Sequence, residues 1–324
     1  MSAASQTVAP PAVDRTQQVL AELAGIWRRL PNKELFLILT GGWLLLLSVL
    51  GNSTFGYVQT RSLLFWMFNS YTSPQSEDGH GLLIPLVVGY LFYVRRHQIL
   101  KDDLRLWWPG LVLFAGACFL HILGYLVQQP RLSIIALLGG LYGIMGLCWG
   151  PGFLRRSFFP FWLLGFLIPL GSLADPISLP LRILVSEIVE VMCGAAGMDV
   201  MRAGTQLYSP DRYQYEIAAA CSGMRSLIAT FALATIYGFT FFRKPWKQWL
   251  LVISSFPLAV IGNVCRMLAI VLAAEWFGAA TGSRVHDSTF WSLLPYVPAI
   301  LGLIFLGRWI GEDDPEPAPT PPPP

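Results

Sequence analysis

Residues 217–242 read IAAACSGMRSLIATFALATIYGFTFF. From Ser222 to Phe242 the run is apolar and long enough to cross a bilayer core, which takes about 20 residues. Cys221 stands at the first turn of that predicted helix. Unpaired helical N–H groups and the positive end of the helix dipole favour a thiolate there. Ala219, Ala220, Ser222 and Gly223 beside it are small enough for a substrate backbone to come close. Cysteines in apolar helices usually serve as packing, so a nucleophilic role for Cys221 depends on what the rest of the chain brings to the same level.

The rest of the chain continues the membrane pattern. Of 324 residues, 54% are apolar and only 13% charged, about half the charged share of a soluble domain. The expected fold is an all-α polytopic membrane protein of about eight transmembrane helices, at 35–50, 82–94, 107–127, 132–149, 158–173, 222–242, 249–274 and 290–306. Residues 1–34 read as a cytoplasmic N-terminal segment without the marks of a cleavable signal. Residues 35–310 form the membrane-embedded domain, and the Pro-rich tail 311–324 lacks the composition to pack.

Charge orients the chain. Arg28, Arg29 and Lys33, the group from Arg95 to Arg105, Arg155 with Arg156, Arg243 with Lys244 and Lys247, and Arg308 all fall on one side of such a topology. The positive-inside rule makes that side the cytoplasm, with both termini there. The net charge of +3 is carried in these short clusters, a topology signal rather than a nucleic-acid footprint; membrane lipids, not nucleic acid, are the expected surroundings. The five cysteines include no C-x-x-C pair, and neither a metal nor a cofactor is expected.

Topology then gathers chemistry at the extracytoplasmic level. Cys221 opens the sixth span there. Arg266 lies 17 residues beyond Trp249 on the seventh span, about 25 Å up a core of roughly 30 Å. An intramembrane arginine is costly unless paired or wet, which makes it a functional candidate by default; the bland reading is a structural ion pair or snorkelling to the surface. Asn263, one turn below, shares its face and could hydrogen-bond a substrate carbonyl. His286, in a connection expected over 278–287, precedes the eighth span; it is either a loop histidine with no task or, beside a thiol, a candidate general acid and base that Asp287 or another carboxylate could orient. Arg225, one turn after Cys221, could hold a carboxylate, lower the thiol pKa or merely cap the bundle. His80, near Glu77 and Asp78, is a candidate for substrate binding or support of the site.

The long extracytoplasmic connection 174–220 has structure of its own. Ile177 to Cys193 carries Ile183, Leu184, Ile188, Val191 and Met192 among charged residues, the pattern of an interfacial helix. The segments VMRAGTQLY and RYQYEI flank SPD and predict a short β-hairpin leading to Cys221. Its edge could pair with an extended peptide.

Together, ACSGMRSL at 220–227, GNVCR at 262–266, a histidine before the last span and DGHGLLIP at 78–85 resemble the exosortase/archaeosortase family. The resemblance spans roughly residues 75–306. It implies a membrane cysteine protease or transpeptidase with a Cys-Arg-His site, here Cys221, Arg266 and His286. It also implies partners that are exported proteins ending in a short motif, a transmembrane helix and a basic tail, as in PEP-CTERM signals, processed at the outer face of the cytoplasmic membrane. A carrier or assembly scaffold for exported polysaccharide or protein, with Arg266 binding an anion, is the alternative from another class. Inactivation through Cys221 by a thiol reagent separates the two. A lipid-modifying enzyme would need acidic metal ligands or a phosphate-binding cluster on one face, and the sequence offers no convincing set.

Overall fold

The computed structural model describes residues 15–54, 59–73, 78–170, 175–209, 213–216, 224–288, 291–294 and 296–311. The chain folds as two compact units, one from residues 1–53 with 92–158 and one from 54–91 with 159–324. Four helical stretches, Lys33–Leu50, Pro109–Leu126, Pro130–Leu167 and Pro245–Phe277, are long and apolar enough to cross a membrane, and Ile84–Val94, Ser226–Phe241 and Tyr296–Ile310 are shorter apolar helices. The protein is a polytopic helical membrane protein.

In the first unit, α1 (Arg15–Arg29) precedes α2 (Lys33–Leu50). Glu22 of α1 accepts hydrogen bonds from Arg96 at 2.5 and 2.8 Å and from the Tyr93 hydroxyl at 3.0 Å. Tyr93 belongs to α4 (Ile84–Val94) and Arg96 to the short α5 (Arg96–Ile99). Between α2 and α4 in sequence lies α3 (Leu63–Thr72) of the second unit. After α5 come α6 (Pro109–Leu126) and α7 (Pro130–Trp162).

Residues 150–157, between the spans expected at 132–149 and 158–173, are helical. Gly150 breaks α7 with φ 90 and ψ 174, a conformation open essentially to glycine alone. Pro151 then restarts the helix, since its missing N–H costs nothing in a first turn. Arg156 sits on this restarted part and makes two hydrogen bonds, 2.8 and 2.7 Å, to Asp102. The guanidinium holds the Asp102 carboxyl below the usual carboxylate range.

The second unit continues from the end of α7 through a 3-10 turn, Leu163–Leu167, to α8 (Asp175–Ala195). Leu181, Val185, Val189 and Cys193, at i, i+4 spacing, bury one stripe of α8 against α10. Of the residues named for an interfacial helix, Leu184, Val191 and Met192 are exposed, and Ile188 packs partly against the same core. The helix carries two apolar stripes, and the one bearing smaller side chains faces the protein. Between them Glu187 and Glu190 bind Arg202 of the following sheet at 3.3 and 3.1 Å.

That sheet is a three-stranded antiparallel meander, not a single hairpin. Strands β1 (Met201–Ala203), β2 (Gln206–Ser209) and β3 (Tyr213–Glu216) lie in the order β1-β2-β3. The extra turn falls at Gly204, inside what reads as one extended segment, because a positive φ of 65 reverses the chain there. Leu207 is fully buried and joins the sheet to the α8–α10 core.

Helices α9 (Met224–Phe241) and α10 (Pro245–Phe277) pack along each other, and α12 (Tyr296–Ile310) packs on both. At about 1.5 Å per residue, the 33 residues of α10 measure roughly 50 Å, well beyond a bilayer core of about 30 Å. Pro257 lies within it without ending it. The expected connection 278–287 is a helix, α11 (Ala279–Asp287), folded back onto α10. Gly278 makes that reversal with φ 87 and ψ 160.

Any side chain at Gly278 would be strained in this backbone conformation. Gly278→Ala should cost about 1–3 kcal/mol and lower the thermal unfolding midpoint in detergent. An unchanged midpoint would show that the corner tolerates a side chain.

Candidate active site

An amide inside an apolar helix needs a partner, because no water is present to supply one. Asn263 of α10 is buried, and its Nδ2 donates to the buried Ser226 Oγ of α9 at 2.9 Å. This bond joins the first turn of α9 to α10. Three residues on, at helical spacing, Arg266 projects toward α11. Its Nη2 donates to the His286 carbonyl oxygen at a long 3.5 Å. A cation near the last turn of a helix also meets the negative end of its dipole. The packing of α11 on α10 thus brings His286, itself half-buried, back beside Arg266.

The residues expected from sequence are therefore divided as follows. Asn263, Arg266 and His286 come together, on α10 and α11. Cys221, Ser222 and Gly223, like the side chains of Arg225 and Asp287, lie outside the described residues. The described part of α9 begins at Met224, and Ser226, five residues after Cys221, is already bonded to Asn263. Sequence reading overlooked Ser226. A hydroxyl early in an apolar run, at the level of an intramembrane asparagine on the next helix, is the signal that would have found it. Asn263 spends one amide N–H on Ser226, which ties α10 to the first turn of α9.

His80 belongs to a 3-10 turn, Gly79–Leu82. Asp78 before it is buried and its Oδ1 accepts from the Leu170 backbone N–H at 3.2 Å. Gly81 lies against the Tyr71 ring, where a Cβ would come within 2.6 Å of a ring carbon, and the Tyr71 hydroxyl donates to the Leu167 carbonyl. The DGHG turn is thereby fixed to α3 and to the 163–170 segment. His80 there lines two apolar grooves beside α9, of about 930 and 580 Å³.

The other cysteines of this unit offer less. Cys193 is fully buried in the α8–α10 core, where burial, and secondarily Glu275, push its thiol pKa up. Cys265 is half-buried next to Arg266.

With this geometry the sequence can be set beside known proteins. The transmembrane exosortase family model (Exosortase_EpsH) matches residues 66–306, an interval that begins in α3, ends in α12 and contains every candidate site residue. No curated protein and no solved structure matches the chain.

The Asn263–Ser226 bond can be measured by a double-mutant cycle of Asn263→Ala and Ser226→Ala. Coupling of about 0.6–1.7 kcal/mol is expected for a hydrogen bond between membrane helices. Additive effects would mean that the two side chains are not joined.

Proposed function

The chain belongs to the transmembrane exosortase family, and on that premise we propose that it is a membrane thiol peptidase or transpeptidase acting on the C-terminal sorting signals of exported proteins. In this reading the chain crosses the cytoplasmic membrane eight times with both termini inside, so the site faces outward. The Cys221 thiolate attacks the scissile peptide carbonyl. The oxyanion that forms is stabilised by the Arg266 guanidinium, while Asn263 holds the first turn of α9 through Ser226. Protonated His286 gives its proton to the leaving amine as the C–N bond breaks, leaving a thioester on Cys221. Neutral His286 then takes a proton from the acceptor as the acceptor attacks the thioester, and Cys221 leaves as thiolate. Water as acceptor gives hydrolysis, and an amine gives transfer.

The observation that carries this reading is the junction of three elements at one level, through Asn263 with Ser226 at 2.9 Å and Arg266 with the His286 carbonyl at 3.5 Å. The sheet supports it. β3 is one of the two outer strands of the meander, and only 217–220 separate it from Cys221. An extended sorting motif adding to that edge would present its backbone to the thiol by strand addition.

Cys221→Ala, expressed and inserted normally, should leave a precursor carrying the sorting signal uncleaved; normal processing would end the thiol assignment. Arg266→Ala should slow processing by about 10²–10³-fold, the loss expected of one oxyanion donor. A variant with wild-type rates would remove Arg266 from the chemistry.

A further inference from the structure

A pocket of about 550 Å³ lies within the first unit, between α1 and residues 96–104. We infer that it binds the phosphate of an anionic phospholipid headgroup, with the acyl chains entering the membrane beside α1.

The chain itself sets the level. Helix α1 ends at Arg29, and the membrane-crossing α2 begins at Lys33. Residues 96–104 lead into α6, a second helix of spanning length, which begins at Pro109. The pocket therefore stands where two spans begin, at the boundary of hydrocarbon and headgroups. Its walls are pinned. Asn32 Nδ2 donates to the Cys148 carbonyl at 3.0 Å, and Trp149 Nε1 donates to the Pro31 carbonyl at 3.1 Å. These bonds fix the link from α1 to α2, while Glu22 fixes α1 to Tyr93 and Arg96.

Charge selects an anion. Glu22 is the carboxylate of the lining, and it is spent on Arg96. The Arg96 bonds, and after them the Tyr93 hydroxyl, hold the Glu22 carboxyl below the usual carboxylate range. Arg96 is spent too, since its Nη1 donates to the Tyr93 carbonyl at 2.8 Å. Their charges cancel. Arg29 also lines the pocket, and its guanidinium has no partner among the described residues. Exposed His97 lines it as well, 3.8 Å from Glu22. The balance is positive, and a guanidinium presents a planar fork of donors that matches phosphate oxygens.

The outer face of α1 favours a lipid over a soluble phosphate. Glu22, Ile26 and Arg29, spaced i, i+4, i+7, line the pocket. Leu20, Leu23 and Trp27, spaced i, i+3, i+7, form another stripe and are 61%, 43% and 39% exposed. An amphipathic helix at a membrane boundary lays such a stripe into the acyl region, and tryptophan is enriched at that depth. Hydrocarbon thus reaches alongside the pocket, whose own lining includes Leu100 and Leu104. A soluble phosphate uses only the charged groups, whereas an anionic lipid uses both surfaces.

Titration of phosphatidylglycerol into the full-length protein in neutral detergent, read by native mass spectrometry, tests the site. Arg29 is exposed and unbonded, so Arg29→Ala leaves the fold intact. It should weaken binding about fivefold, the contribution of one basic side chain at an anionic surface. Arg28→Ala removes the same charge from an exposed neighbour that does not line the pocket, and should bind as wild type. Phosphatidylcholine should bind about fivefold more weakly than phosphatidylglycerol, and glycerol phosphate at equal concentration should not displace the lipid. Equal losses in the two arginine variants would reduce the effect to diffuse surface attraction and overturn the site. Equal affinity for phosphatidylcholine would overturn the recognition of an anion. Displacement by glycerol phosphate would make this a pocket for soluble phosphates and overturn the lipid assignment.

Discussion

The arrangement depends on a single buried polar contact between helices. Asn263 cannot leave its amide unsatisfied in an apolar interior, and Ser226 answers it. Because both groups are directional, the bond sets the height and rotation of α9 against α10, which apolar packing alone would leave free to slide. Arg266 lies one turn along α10 and ties down α11 through the His286 carbonyl. Two polar side chains three residues apart thus organise three helices.

Glycine and proline supply the corners that make this possible. Gly278 turns the chain so sharply that α11 begins at the next residue. Without that reversal His286 would continue outward along the axis of α10. Gly150 with Pro151 does the same for α7. In the DGHG turn, Gly81 allows the chain to lie on Tyr71, and Asp78 secures the 163–170 segment. His80 is carried to its position by these neighbours.

Much of this was legible in the sequence. The apolar runs announce α2, α4, α6, α9, α10 and α12 because hydrocarbon demands unbroken helical hydrogen bonding. Arg266 and Asn263 stand out because polar groups are rare in such runs. Local polarity hides other features. Residues 278–287 lack a long apolar run, so α11 reads as a loop; it is stabilised by packing on α10, which no local pattern shows. Gly204 reads as part of one strand, although its left-handed conformation makes a turn. In α8 the sequence has two apolar stripes, and only the tertiary fold decides that Leu181, Val185, Val189 and Cys193 turn inward. The partnership of Ser226 and Asn263 spans 37 residues, a separation at which composition and periodicity are silent.

The length of α10 bears on how this protein meets membranes of different composition. From Val260 to Ala274 one face of the helix packs against α8 and the sheet, while Ile261 on another face is exposed. Hydrophobic mismatch acts on surface that lipid must cover, and the packed face presents none of it. Thickening or thinning the surrounding bilayer is therefore felt on the open faces of the shaft, while Asn263 and Ser226, buried in the protein, stay out of its reach.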